Sequence, residues 1–126
     1  ALNANYKQKH EPCLYWKPKN GRLNFVGATT ENTIWEISKD GRNEFHPTQK
    51  PVALAAKAIS NHEASSVADI FLGSGTTMVA AHQLNRKCYG MELSPKYCQV
   101  IISRMLALDP TLEIKKNGEL YTPKYA

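Results

Sequence analysis

The sequence predicts an α/β protein, with a mostly parallel sheet and flanking helices. Three observations carry that expectation. From residue 51 onward the chain reads helix, strand, helix, strand, helix, an order that folds as parallel strands joined by right-handed crossovers. The apolar run over residues 67–71 closes into Gly73-Ser74-Gly75 and then a helix-like stretch, a strand–turn–helix whose backbone a ligand can approach closely. An acid, Glu92, follows Gly73 by 19 residues, at the end of the next strand.

The elements follow in order. Residues 11–17 read as a strand that stops at Pro18, Lys19-Asn20-Gly21 as a turn, and residues 23–26 as a second strand. Residues 33–37 alternate as strands do, and residues 38–43 are loop. Pro51 suits a first helical turn and opens a helix to about residue 61, with Val52, Ala55, Ala56 and Ile59 on one face. Residues 67–71 form an apolar strand that carries one acid, Asp69. Residues 75–84 are helical, Asn85-Arg86 is a turn, and residues 88–91 are a strand. Ser94 caps a helix that starts at Pro95, where Tyr97, Ile101, Met105 and Leu108 share a face. Asp109-Pro110 stops it, and one more strand lies near Leu120-Tyr121. The expected plan is a single domain: a β-rich segment over 1–45, a βα core over 46–108 and a tail over 109–126.

With 126 residues the chain holds one domain at most and can bury a core. It has no apolar run near the roughly 20 residues that span a bilayer. Its start, Ala1-Leu2-Asn3-Ala4-Asn5-Tyr6, lacks the basic and apolar regions of a signal peptide. Cys13, Cys88 and Cys98 are odd in number and show no metal-ligand spacing, and the four histidines do not cluster. No disulfide framework and no metal site are expected, and the compartment is expected to be reducing. The net charge is +5. Lys7, Lys9, Lys17, Lys19 and Arg22 crowd residues 1–22 among Tyr6, Tyr15 and Trp16. Such a mixture suits a polyanion with bases to stack on, and equally a solvated edge strand with its aromatics in the core.

The Gly73-Ser74-Gly75 turn can be narrowed by elimination. A phosphate-binding P-loop needs Gly-x-x-x-x-Gly-Lys-Ser/Thr, which does not occur. A dinucleotide turn wants a third glycine where Met78 stands. What remains is a two-glycine turn with Asp69 four residues before Gly73. A carboxylate there would repel a phosphate and attract an ammonium such as that of S-adenosylmethionine; it would also serve as a helix-capping or salt-bridged residue. Glu92 is placed to accept bonds from ribose hydroxyls at the strand ends, and also to complement the dipole of the helix at Pro95. His46-Pro47-Thr48-Gln49-Lys50-Pro51 stiffens a helix entry and offers polar groups.

Taken together, HPTQKP, DIFLGSGTT and YGMELSPKYCQVIISRM resemble, in this order, the DNA methyltransferases that modify exocyclic amines, N6 of adenine or N4 of cytosine. The similarity is dense over residues 46–105 and looser at Glu11-Pro12-Cys13-Leu14-Tyr15. It implies a partial Rossmann-like S-adenosylmethionine-dependent methyltransferase core with a β-rich N-terminal segment. The cofactor motif would comprise Asp69, Phe71, Gly73, Ser74, Gly75, Thr76 and Thr77, with Glu92 on the ribose. Thr48, Gln49 and Lys50 would close over the methionine part. The family also implies DNA as partner, homodimers in some members, and a cytoplasmic place in bacteria, phage or prophage.

One departure bears on catalysis. The family's base-engaging signature is Asp/Asn/Ser-Pro-Pro followed by an aromatic residue, and no Pro-Pro pair occurs in this sequence. In the subgroup that the motif order resembles, that signature precedes the cofactor motifs. The expectation is the C-terminal portion of a longer enzyme, inactive alone, with a missing N-terminal half as partner. The alternative is a non-catalytic, degenerate module that binds nucleic acid or protein. Pro12-Cys13 resembles the nucleophile of cytosine C5 methyltransferases but precedes Asp69 by about 55 residues instead of following it; Cys13 is therefore expected to be a packed core cysteine, as are Cys88 and Cys98.

Overall fold

A computed structural model describes residues 9–22, 24–38 and 49–123. Its elements are α1 (Val52–Ser60), β1 (Ser66–Asp69), α2 (Thr76–Gln83), β2 (Lys87–Gly90), α3 (Pro95–Leu108), β3 (Lys115–Lys116) and β4 (Glu119–Leu120). Strands β1 and β2 pair in parallel, with Ser66 opposite Lys87 and Asp69 opposite Gly90. The crossover between them is α2, as the helix–strand alternation requires.

Pro51 sits at the N-cap of α1 in an extended conformation, and Asn61 closes the helix. The expected apolar face is the one used. Ile59 is buried against Ala80 and Ala81 of α2, with Val52, Ala55 and Ala56 packed around them. Small residues on both helices allow this close approach. A second cluster joins Leu72, Val79, Ile101 and Met105, and draws in Val52, Met78, Cys88 and Leu112. This places α3 against α2. Ile101 and Met105 are buried, whereas Leu108 at the helix end is exposed. Ser94 does occupy the N-cap of α3, but its side chain makes no capping bond. Beyond α3, Asp109 accepts the Thr111 N–H at 3.0 Å and its hydroxyl at 2.6 Å. Those bonds, helped by nearby His82, hold the Asp109 carboxyl below its ordinary value.

Two expectations need correction. The β-rich segment does not form as read: among the described residues before α1 there is one isolated antiparallel bridge, Phe25 to His62. It is flanked by Val26 N–H to Asn61 O at 2.9 Å and Glu63 N–H to Asn24 O at 2.8 Å. The propensity of residues 11–17 and 33–37 is real, but a strand exists only where a neighbour completes its hydrogen-bond ladder. Leu14, Trp16 and Ile34 are accordingly exposed. Cys13, expected in the core, is exposed for the same reason, while Cys88 and Cys98 are half-buried. The segment is instead anchored by side chains. The Tyr15 hydroxyl donates to His62 Nε2 at 2.7 Å, and His62 Nδ1 faces the Ala58 carbonyl at 2.8 Å.

The structure also adds a hairpin. β3 and β4 pair antiparallel through Asn117 and Gly118, both with positive φ. Asn-Gly is a strong hairpin signal, and β4 is the strand expected near Leu120-Tyr121, with β3 its added partner. Among the described residues, no helix is long and apolar enough to cross a membrane.

Gly75, the N-cap of α2, has φ +84°, and a Cβ there would lie 3.0 Å from Ile101 Cγ1. Gly75→Ala is expected to cost on the order of 1–3 kcal/mol. A urea melt measures this, and a wild-type midpoint would contradict the account.

Candidate functional site

Parallel pairing brings the carboxyl ends of β1 and β2 side by side, so the two loops that leave them share one edge of the sheet. Asp69 and Glu92 both stand at this edge, half-buried. Neither is in an ion pair among the described residues.

Asp69 closes the first loop on itself. Its Oδ1 accepts the Phe71 N–H at 2.9 Å, and its Oδ2 accepts the Thr77 hydroxyl at 2.6 Å. The carboxylate thus ties the strand end to the first turn of α2. Glu92 joins the two loops: Oε2 accepts the Gly73 N–H and Oε1 the Ser94 N–H, each at 2.8 Å. An ionised carboxylate offers about four acceptor positions, so each acid keeps capacity for a further donor. Asp69 thus acts neither as the helix cap nor as the salt-bridged residue weighed from the sequence but closes the turn, and Glu92 stands just before α3; neither set of bonds consumes the group.

Between the acids, Gly73 has φ +56° and Gly75 φ +84°. Leu72 turns inward, where it would collide with any side chain at residue 90, since its Cδ2 lies 2.4 Å from the Cβ position there. Phe71, next to it, turns outward and is 86% exposed. Ser74 and Thr76 are buried, and their hydroxyls point to the segment before α1. The Ser74 hydroxyl donates to Gln49 Oε1, and the Thr76 hydroxyl to the Lys50 carbonyl, both at 3.2 Å. The Lys50 ammonium pairs with Glu11. Three segments far apart in sequence, 49–50, 69–77 and 92–94, therefore meet at one place. Thr48 lies outside the described residues, with His46 and Pro47.

One participant was not anticipated. Arg104 of α3 donates from Nη1 to the Ser74 carbonyl at 2.6 Å and to its hydroxyl at 3.2 Å. A signal for it existed. Arg104 stands three residues after Ile101 and seven after Tyr97, so a cation shares the apolar face of the helix. Behind the loops, burial and then the neighbouring Asp69 carboxylate push the Cys88 thiol up from its ordinary value, which keeps it protonated and inert. No group of three or more His, Cys, Asp or Glu residues that could hold a metal occurs among the described residues.

The edge is an open shelf: Ile70, Phe71, Met91 and Leu93 are all exposed around it. A shelf of apolar rims, glycine backbone and two acids suits a ligand with hydroxyl and cationic groups and disfavours a phosphate. This is an α/β unit whose open edge lies at the carboxyl ends of its parallel strands, where sheets of this type bind ligands.

Comparison with known proteins specifies the class. The sequence model of the DNA methylase family (N6_N4_Mtase) matches residues 3–103, and the chain belongs to that family. It is 34% identical over 100 residues to Type II methyltransferase M.HpaI of Haemophilus parainfluenzae, covering 75% of this chain and 31% of that protein. It is 38% identical over 96 residues to Type II methyltransferase M.BglI of Bacillus subtilis, covering 69% and 28%. With Type II methyltransferase M.HindIII of Haemophilus influenzae it shares 31% identity over 145 aligned positions, covering 94% and 45%. Among solved structures, the M1.HpyAVI–SAM complex superimposes with a TM-score of 0.58 at 33% identity, covering 69% of this chain and 46% of that one. The α/β methyltransferase fold expected from the sequence is thus present. The chain spans less than half the length of each of these relatives.

Removing the Glu92 carboxylate leaves two partly buried N–H groups without their acceptor. Glu92→Ala is expected to lower stability by about 2–4 kcal/mol, with Glu92→Gln intermediate because its amide can still accept one of the two bonds. Chemical denaturation of the three proteins checks the order Glu, Gln, Ala.

Proposed function

We propose that this chain is the S-adenosylmethionine-binding part of a DNA methyltransferase that acts on an exocyclic amine, N6 of adenine or N4 of cytosine. The observation that carries this reading is the convergence of Asp69, the Gly73–Gly75 turn and Glu92 at one edge of a parallel sheet, in a chain of the DNA methylase family. The residues present fit that cofactor by their chemistry. Asp69 and Glu92 retain acceptor positions for an ammonium and for ribose hydroxyls. The exposed Phe71 ring can face a cation. Residues 69–77 and 92 form the core of the proposed site, and Thr48, Gln49 and Lys50 cover its methionine end.

The bound cofactor supplies a methyl group activated by a positive sulfonium. The protein's task is to hold that methyl in line with the amine that attacks it, and such positioning accounts for much of the barrier reduction in two-substrate reactions. Glu92 fixes both loops from one carboxylate, so the two ends of the nucleoside are held in fixed relation. The segment 46–108 is the cofactor core in this reading. Base engagement falls to an Asp/Asn/Ser-Pro-Pro-aromatic motif in a further, N-terminal part of the enzyme, because this sequence has no Pro-Pro pair. DNA is the substrate of the whole enzyme, self-association into a dimer is compatible with it, and its place is the cytoplasm of a bacterium or a prophage-bearing cell.

Calorimetry with S-adenosylmethionine tests the reading. The chain is expected to bind, and Asp69→Ala to bind more weakly by about tenfold or more, the loss of a charged hydrogen bond. No binding by the folded chain would favour the second reading, a degenerate module without catalysis, which the missing Pro-Pro motif supports. Transfer of labelled methyl to duplex DNA by the chain alone is expected to be nil; incorporation would show that base engagement does not need the absent motif.

A further inference from the structure

The glycine turn is held from behind by a residue outside the set assigned to the cofactor, near the end of the stretch 89–105. Arg104 lies on α3, thirty positions after Ser74, and is half-buried. Its guanidinium meets the Ser74 carbonyl at 2.6 Å and the Ser74 hydroxyl at 3.2 Å. That hydroxyl in turn donates to Gln49 Oε1 at 3.2 Å. The bonds run in one direction, from guanidinium to hydroxyl to amide oxygen, and a charged donor at the head of such a chain polarises the bonds after it.

Two features make this more than a packing contact. Ser74 stands between the two glycines, which resist distortion least of any residues, and is itself 6% exposed. What grips Ser74 therefore helps set the turn's conformation, beside the Gly73 N–H bond to Glu92. Secondly, Gln49 adjoins Lys50, whose carbonyl accepts the Thr76 hydroxyl, so the same linkage seats the segment before α1.

We propose that Arg104 is a positioning residue for ligand binding: through Ser74 it sets the Gly73–Gly75 turn and Gln49 in the arrangement that receives the cofactor, without touching the cofactor itself. This rests on the function proposed above for the site.

The test compares Arg104→Met, Arg104→Lys and Ile59→Ala, the last being a core truncation at the α1–α2 contact remote from the turn. Two quantities are measured on each, at a temperature where all are folded. The first is the S-adenosylmethionine dissociation constant. Arg104→Met is expected to weaken binding on the order of 10- to 30-fold, Arg104→Lys to recover part of that loss because a single ammonium can serve the carbonyl alone, and Ile59→Ala to bind as wild type. The second is amide hydrogen exchange at Gly73, Ser74 and Gly75 without ligand, expected to accelerate in Arg104→Met and not in Ile59→Ala. Wild-type affinity together with wild-type exchange in Arg104→Met would overturn the proposal, as would equal weakening by Ile59→Ala, which would mark the effect as general destabilisation. If the wild-type chain binds no S-adenosylmethionine, the reading of the site fails, and unchanged exchange in Arg104→Met would separately refute the positioning role.

Discussion

The structure turns on one carboxylate. Glu92 accepts an N–H from each of the two loops that leave the parallel strands, Gly73 on one side and Ser94 on the other, at equal distances. A parallel pair supplies no such link by itself, because its strands are joined at opposite ends by a crossover. Beyond the strand ladder, the loop after β1 and the loop after β2 are also tied by the Leu72 N–H to the Met91 carbonyl at 2.9 Å, and the Glu92 carboxylate extends that link to Gly73. With it, the acid proposed to hold the ribose also fixes where the glycine turn stands. Binding and architecture share a group, which is economical only because a carboxylate has more acceptor positions than either task uses.

Asp69 repeats the logic locally. It spans from the last residue of β1 to the Thr77 hydroxyl in the first turn of α2, so it ties strand to helix without capping the helix. The turn needs Gly75 for its left-handed backbone and for the space beside Ile101. Arg104 completes the arrangement from the third side. The turn is thus held by two acids and one base drawn from three separate elements, and its own short sequence need only be compliant.

The apolar pattern from residue 51 onward was legible. Val52, Ala55, Ala56 and Ile59 pack as their spacing indicated, and Asp69 and Glu92 reached a common edge because parallel pairing follows from helix–strand alternation. The region before α1 was misread for a definite reason. Residues 11–17 and 33–37 have strand composition, yet composition says nothing of who completes the ladder; among the described residues neither forms one, and the single bridge joins Asn24 to Val26 with Asn61 to Glu63. Cys13 became exposed with them. The Asn117-Gly118 hairpin was added by the structure, although its dipeptide carries a hairpin signal.

From its residues alone, the chain determined the alternating order, the compliant glycine turn and the two acids at the strand ends, because periodicity, backbone freedom and charge are properties of short stretches. Tertiary structure decided what each acid grips, that Ser74 and Thr76 face the segment before α1, and that Arg104 reaches the turn. Those contacts join residues as many as 30 positions apart, and a hydrogen bond between such distant groups exists only once packing has fixed the helices that carry them.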